Sequence, residues 1–271
     1  MRRVHRENRG TNMDFQKVET VLDLSNIRAA LVRMEDTIVF DLIERSQFFE
    51  SPSVYEVNKY QIEGFSGSFM EWLLLQTEKT HSQVRRYEAP DETPFFADQI
   101  LKPILPSIKY PKILASYSDD ITVNDEIKKF YVEKIVPQVA CGKGDQFENS
   151  GSVAVCDVEC LQALSRRIHF GKFVAEAKFR QDRELYTKLI EARDVKGIEA
   201  SITNSAVEEK ILERLKEKCE AYGTDPGLRW SQLMQSKVKP EVIVQLYKEY
   251  VIPLTKRVEV DYLLRRLEDP M

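Results

Sequence analysis

Apolar residues recur at three- and four-residue steps over long parts of the chain, and this spacing constrains the fold more than any other feature. The clearest stripe lies within residues 24–48 and consists of Ile27, Leu31, Met34, Ile38, Leu42 and Ile43. Residues at this spacing share one face of an amphipathic helix. Strand-type alternation never persists for more than a few residues, so the pattern predicts an all-α fold.

The same periodicity predicts the remaining helices. They are expected over residues 68–87, 125–139, 156–180, 183–193, 204–222 and 241–268. Pro253 falls inside the last of these and should kink it. Asp23 or Ser25 could cap the first helix. Five prolines in residues 89–111 and the glycine-containing residues 141–151 predict loops. The expected architecture is a helical bundle-like single domain with long helices.

The domain organisation predicted from the sequence is simple. Residues 1–12 are polar and unpatterned, so we expect a disordered N-terminal extension. Residues 13–271 should form one domain, because no linker-like or low-complexity segment interrupts them.

Composition excludes several classes of protein. A net charge of −4 argues against a nucleic-acid partner, which normally requires a basic footprint. No stretch of about 18 apolar residues is present, so no membrane association is expected. The four cysteines form no CxxC pair and have no matching histidine cluster, which argues against a metal site. Free thiols without a secretory signal predict a cytoplasmic protein.

Several cations occupy helix positions that invite a functional interpretation. Arg167, Gly171, Val174 and Lys178 lie on one helical face, and the two cations are about 16 Å apart along the axis. Two long cationic side chains on either side of a small-residue gap could bind a small dianion. The alternative is that both are solvated surface cations. Arg28 lies near the start of the first helix, where a cation opposes the helix dipole.

Two polar pairs at four-residue spacing also have competing interpretations. Asn204 could be a helix N-cap, and Glu208 could belong to a solvated charge run. Thr255 and Glu259 follow Pro253, and the threonine could simply satisfy a carbonyl that the proline leaves free. Each signal is weak when it is taken alone.

Taken together, these segments resemble the fungal chorismate mutase family, from Met13 to nearly the end of the chain. The resemblance is carried by residues 165–178 (SRRIHFGKFVAEAK), 202–210 (ITNSAVEEK), 258–266 (VEVDYLLRR), 31–36 (LVRMED) and 90–96 (PDETPFF). It implies an isomerase that converts chorismate to prephenate by an intramolecular [3,3] rearrangement, in phenylalanine and tyrosine biosynthesis. No cofactor, metal or proton transfer is needed. Restriction of the substrate and stabilisation of its breaking ether oxygen should together lower the barrier by about 8 kcal/mol or more.

The resemblance also assigns roles to individual residues. Arg28 and Arg167 should pair with the two substrate carboxylates, because guanidinium groups bind carboxylates in a fork geometry. Asn204 and Thr255 should add hydrogen bonds near those carboxylates. Glu208 should hold the ring hydroxyl.

Lys178 and Glu259 should flank the ether oxygen in the same resemblance. Glu259 can donate a hydrogen bond there only when it is protonated, so its surroundings should raise its pKa. We therefore expect an acidic activity optimum.

Fungal members are homodimers that tyrosine inhibits and tryptophan activates, and the resemblance extends to that effector site. The matching residues are Arg85, Arg86, Asn149, Gly151 and Ser152. Arginines can bind an amino-acid carboxylate, and a helix start near Ser152 offers backbone N–H groups. An ordinary exposed arginine pair is the alternative interpretation.

Two positions depart from the family pattern. Val155 and Lys239 each replace a threonine, the first at an effector contact and the second in a region tied to switching. Loss of a hydroxyl partner at Val155 could weaken selection for the tyrosine phenol.

Two other functions stay open at this point. One is a non-catalytic helical interaction protein, which should show gaps among the matched polar positions. The other is a different enzyme acting on a small carboxylated metabolite, which should show a metal or nucleotide motif. His169 lies between the cations of residues 167–178, but off their face, so we expect it to have a packing role.

Overall fold

A computed structural model describes residues 13–222 and 238–269. The extension predicted for residues 1–12 lies outside this part of the chain. The described residues are predominantly helical and contain no strand, which confirms the all-α prediction.

The described residues form twelve α-helices, α1 to α12 in chain order. They are α1 Val18–Val21, α2 Leu24–Arg45, α3 Phe69–Gln83, α4 Asn124–Phe130, α5 Val136–Val139, α6 Ser150–His169, α7 Gly171–Gln181, α8 Arg183–Glu191, α9 Val195–Ile202, α10 Ser205–Tyr222, α11 Pro240–Leu246 and α12 Ile252–Leu264. Single 3-10 turns occur at Pro52–Val54, Arg86–Glu88, Ser118–Asp120, Phe147–Asn149 and Arg266–Glu268. Helices α2, α6, α7 and α12 meet around one continuous hydrophobic core.

Helix α2 begins as the sequence predicts. The Asp23 carboxylate accepts hydrogen bonds from the backbone N–H groups of Ser25 and Asn26 and so caps the helix. The predicted stripe faces the core, with Ile38 and Leu42 buried against the rest of the protein. Helix α3 is capped in a similar way by a reciprocal pair between Ser68 and Glu71.

The helix predicted over residues 156–180 is instead two helices. Helix α6 begins earlier, at Ser150, and ends at His169, while α7 begins at Gly171. The prediction started too late because Ser150 and Gly151 are weak helix formers that read as loop. Since only Phe170 separates α6 from α7, the polar residues on both helices still converge.

Two π-helical turns interrupt helices that the periodicity predicts as continuous. They are Tyr131–Ile135 and Tyr247–Val251, and each is followed within two residues by a proline, Pro137 or Pro253. Proline has no backbone N–H and its ring collides with the carbonyl four residues earlier. The wider π turn accommodates both effects, so a π bulge precedes Pro253 in the helix predicted over residues 241–268.

Helix α9, Val195–Ile202, was not expected. Its glycine, Gly197, weakens the helical signal, but the Asp194 carboxylate caps the helix by accepting from the backbone N–H of Gly197. Ile198 and Ile202 are buried and hold the helix against the core. In the described residues, no helix is both long and apolar enough to cross a membrane.

Candidate active site

Arg167 is a buried cation in the last turn of α6. Its side chain is almost inaccessible, with a residue exposure of 3%. Its Nη1 donates to the Thr255 hydroxyl at 3.4 Å, and its guanidinium carbon lies 5.9 Å from the centre of the Tyr247 ring. Its Nε is buried and has no hydrogen-bond partner. Such an unpaired buried donor is costly unless another group, such as a ligand, binds to it.

Thr255 forms hydrogen bonds both to the backbone of its own helical segment and to Arg167. Its hydroxyl donates to the carbonyl of Val251 at 2.6 Å, as a threonine after a bulge can do. The same oxygen accepts from Arg167. Thr255 thus satisfies the backbone and helps to orient the cation.

Glu259 lies one turn after Thr255 on α12, and only 7% of the residue is exposed. Burial raises its pKa to about 8, while the cations Lys178, Arg167 and Lys256 oppose that increase. At neutral pH the carboxyl group is therefore protonated and can donate a hydrogen bond. The expected rise in its pKa is confirmed.

Gly171 allows α7 and α12 to approach each other closely. A Cβ atom at this position would lie 3.0 Å from the Thr255 carbonyl oxygen and 3.2 Å from Glu259 Cγ. At Gly171, the small-residue gap between Arg167 and Lys178 is therefore occupied by α12. Helix α12 fills the gap and brings Thr255 and Glu259 to the same face as the two cations.

Lys178 lies on α7, near Glu259. Its Nζ donates to the Ile202 carbonyl, at the end of α9, at 2.9 Å. Burial lowers the pKa of Lys178, and the nearby Glu259 opposes the decrease. The ammonium is thus held at a fixed point, beside a carboxyl group that can donate.

Glu208 and Asn204 come from the start of α10. A carboxylate oxygen of Glu208 lies 2.8 Å from Nζ of Lys256 on α12. The Asn204 side chain accepts from the backbone N–H of Val207 at 3.2 Å, so it caps α10 as the simpler interpretation held. Asn204 is exposed and Glu208 is half-buried.

Arg28 is exposed on α2 and stands apart from these contacts. It lies seven residues before Glu35, so both share one face of α2. The Glu35 carboxylate pairs with Arg214 of α10 at 2.7 Å, which shows that this face looks toward α10. The fold does bring together five of the predicted residues, which form the Arg167 cluster: Arg167, Lys178, Glu208, Thr255 and Glu259.

Two residues at the cluster, Tyr247 and Lys256, were not predicted from the sequence. Tyr247 is fully buried against Arg167, its hydroxyl has no hydrogen-bond partner, and burial raises its pKa. Lys256 pairs with Glu208 across two helices. No spacing within one helix could reveal either contact, although the π turn at Tyr247–Val251 marks an irregular segment typical of functional sites.

His169 has the packing role that was expected. Its Nε2 accepts from the backbone N–H of Val123 at 3.0 Å, and its Nδ1 contacts the Ser165 carbonyl at 2.8 Å. Burial lowers its pKa to about 3, so the ring stays neutral.

The predicted effector residues lie in two separate places. Arg86 contacts Gln162 of α6 at 3.1 Å, and Arg85 donates to the Pro106 carbonyl. Asn149, Gly151 and Ser152 are at the start of α6. Gln162 and Ser152 are ten residues apart on one helix, or about 15 Å along its axis. Within one chain, the two arginines and the start of α6 are therefore not brought together.

Two cavities lie away from the Arg167 cluster. One, of about 280 Å³, is lined by Arg86, Arg166, Asp41 and Glu159 among others. Burial, together with the Glu159 charge, raises the pKa of Asp41 to about 7. The other has a volume of about 300 Å³, and its walls are mainly aromatic. Neither of these two cavities is lined by a residue of the Arg167 cluster.

The chain is similar in sequence and in structure to known chorismate mutases. Residues 149–260 match the family model described as chorismate mutase type II. The chorismate mutase of Pichia angusta is 65% identical over 257 residues, covering 95% of this chain and 92% of that protein. The structure of Candida albicans chorismate mutase with L-tryptophan has a TM-score of 0.92 at 72% identity, covering 96% of this chain and 97% of that one. The structure of AtCM1 with tyrosine in its allosteric site has a TM-score of 0.81 at 41% identity, covering 91% and 97%.

Proposed function

This chain belongs to the chorismate mutase family, and on that premise we propose that the Arg167 cluster is the site at which it isomerises chorismate to prephenate. The observation that carries the assignment is the unpaired Nε of Arg167, buried beside a protonated Glu259 and the ammonium of Lys178. A dicarboxylic ether substrate supplies acceptors for all three groups.

The first task of the site is to restrict the substrate. Arg167 binds one carboxylate with the donors that the protein leaves unused, and Thr255 holds the guanidinium in place. Arg28 binds the second carboxylate from α2, and Asn204 adds a hydrogen bond from the exposed start of α10. Holding the ether side chain over the ring in this way brings the two carbon atoms that will bond close to the attack geometry.

The second task is to stabilise charge on the ether oxygen. As the C–O bond breaks, electron density moves to that oxygen, and the Glu259 carboxyl and Lys178 ammonium donate to it from either side. Both donors are positioned before the substrate arrives, which makes their stabilisation specific to the transition state. Glu208 accepts from the ring hydroxyl. No proton is transferred.

The test of this function is a direct assay. Purified full-length protein, with no added cofactor, should accelerate the loss of chorismate absorbance, and prephenate should accumulate in equal amount. Absence of acceleration at pH 6 would refute the proposal. It would favour the alternative of a helical interaction protein that has lost activity.

We further propose that aromatic amino acids regulate this enzyme, with tyrosine as inhibitor and tryptophan as activator. The Candida albicans relative was solved with L-tryptophan, and AtCM1 with tyrosine in an allosteric site. In this chain Arg85 and Arg86 would bind the effector carboxylate. Kinetics at sub-saturating chorismate test the proposal, and a lack of response to both amino acids would refute it. Val155 is exposed on α6, so restoring threonine there should strengthen any response to tyrosine.

We propose that the protein is a homodimer, and the separation of the effector residues supports this. Because Arg85 and Arg86 are far from Gly151 and Ser152 within one chain, a site that uses both sets needs a second copy. Sedimentation equilibrium should give twice the chain mass, and the Arg86→Ala variant should lose the effector response while staying dimeric. A monomer that still responds to effectors would contradict this arrangement.

We also propose that the protein acts in the cytoplasm. Cys141, Cys156 and Cys160 are free thiols, as is usual in a reducing compartment. Cell fractionation with an antibody to the protein would test this location.

A further inference from the structure

The ion pair between Lys256 and Glu208 joins two helices at the proposed active site. The Lys256 Nζ and a Glu208 carboxylate oxygen are 2.8 Å apart, and the two side chains are 24% and 28% exposed. Partial burial makes this pair less screened by solvent than a surface pair.

Lys256 is also a neighbour of Glu259 on α12. The two residues are three positions apart, a spacing that places side chains side by side on a helix. The ammonium of Lys256 therefore pairs with the Glu208 carboxylate of α10 and also acts electrostatically on the Glu259 carboxyl of its own helix. Neither the matched family segments nor the helical spacing had assigned this lysine a role.

The charged and titratable groups around Glu259 come from four other helices. Lys178 belongs to α7, Arg167 to α6 and Glu208 to α10. Tyr186 of α8 also lies within the electrostatic reach of Glu259. Lys256 is the cation of α12 in this group, and it opposes the effect of Glu208.

From this arrangement we propose that Lys256 is a positioning residue, which holds Glu208 toward the ring hydroxyl of the substrate and balances the negative charge near Glu259. The inference rests on the proposed function of the Arg167 cluster. Without Lys256, Glu208 would lose both its orientation and its counter-charge. The lost cation and the unbalanced anion would both make the field at Glu259 more negative.

The test is the Lys256→Met variant, which keeps the length of the side chain and removes its charge. We expect KM for chorismate to rise about three- to tenfold, as for loss of a half-buried charged contact, with a smaller change in kcat at pH 6. The alkaline limb of the pH–rate profile should move up by several tenths of a pH unit. Lys256→Arg should recover most of the KM, because it restores the cation.

Arg257→Met provides the matched control. Arg257 is the next residue on α12 and also forms ion pairs, with Glu126 and Asp261, but it is 53% exposed and faces away from the cluster. This variant should keep both the KM and the alkaline limb of the wild type. Thermal unfolding of both variants checks that they fold, and Lys256→Gln replaces the methionine variant if that one does not.

A double-mutant cycle separates positioning from a direct contact. In a Glu208→Gln background, Lys256→Met should raise KM by less than twofold, since the residue it positions has already been altered. An equal KM increase in both backgrounds would overturn the proposal, as would an unchanged KM and alkaline limb in Lys256→Met alone. An inactive wild-type protein would instead refute the proposed function, so the two failures are distinguishable.

Discussion

Two groups of buried charges lie on α6, and they differ in how completely their hydrogen bonds are satisfied. Near the start of the helix, Asp157 pairs with Arg45 at 2.8 Å, and both side chains are 0% exposed. Asp157 also accepts from the hydroxyls of Tyr55 and Tyr131. Arg45 uses its remaining donors on Tyr55 and on two backbone carbonyls. This network is closed and has no capacity for a ligand.

The Arg167 cluster, at the other end of the same helix, is open. Arg167 has an unpaired Nε, Tyr247 has an unpaired hydroxyl, and the Glu259 carboxyl is kept protonated. Evolution can retain such costs where a ligand completes the hydrogen bonds. The comparison indicates that burial and charge alone do not identify an active site. Unsatisfied donors distinguish the Arg167 cluster, the proposed site, from the network of Arg45 and Asp157.

Breaking the closed network should produce the largest loss of stability. Arg45→Met leaves Asp157 buried without its cation, which should lower the free energy of unfolding by about 3–5 kcal/mol. Urea unfolding measures the loss. Activity per folded molecule should stay close to that of the wild type, and a selective loss of activity in folded protein would contradict the division between the two networks.

Disrupting the Arg167 cluster should reduce activity while leaving stability unchanged or higher. Arg167→Met removes a donor to the substrate, so kcat/KM should fall by about 10²–10³-fold. Because the native protein leaves Arg167 Nε unpaired, its melting temperature should stay the same or rise. A variant that melts well below the wild type but keeps its kcat/KM would show that Arg167 is structural.

The close approach of α7 and α12 offers a milder way to disturb the cluster. Gly171→Ala places a methyl group against the Thr255 carbonyl, and a backbone atom cannot rotate away. We expect a loss of about 1–3 kcal/mol in unfolding free energy and a several-fold lower kcat. Gly151→Ala, assayed without tyrosine or tryptophan, is the control, since a Cβ there meets nothing within 4 Å in its own chain and should be neutral or slightly stabilising. Equal behaviour of the two variants would contradict the proposed packing constraint.

The smallest expected effect concerns pH and sharpens the assignment of Glu259. Since its pKa is about 8, the wild type should lose activity as pH rises through 8, when the donor becomes a carboxylate. One pH unit above the pKa, only about a tenth of the protonated form remains. Glu259→Gln keeps a donor that does not titrate, so its pH–rate profile should be flat from pH 6 to 9. A profile that still falls near pH 8 in this variant would assign the titration to another group.

The periodicity of the chain was sufficient to predict the helices but not their interruptions. The α2 stripe and its Asp23 cap are local features, and each depends on residues within one or two turns. The prediction was wrong at residues 156–180 and missed α9, in both cases near weak helix formers such as Gly151 and Gly197. The two π turns were also missed, because the bulge that a proline induces is not visible in the spacing of apolar residues.

The candidate site was likewise predicted only in part from the sequence. The residue types were available from the helical spacing and the family resemblance, which together singled out Arg167, Lys178 and Glu259. The contact between Lys256 and Glu208 could not be predicted from helical spacing, because the two residues are on different helices. The raised pKa of Glu259 was inferred from the chemistry it must perform, whereas its cause, burial against α7, belongs to the fold.

The sequence by itself determined where helices form and which polar side chains each presents, since these properties depend on neighbours three and four residues away. Only the tertiary structure decided which faces meet. Gly171 lets α12 fill the gap between the two cations, and the start of α10 brings Glu208 to Lys256. Burial and electrostatic fields arise from contacts between distant segments, so the donors that stay unpaired were determined only when the helices packed.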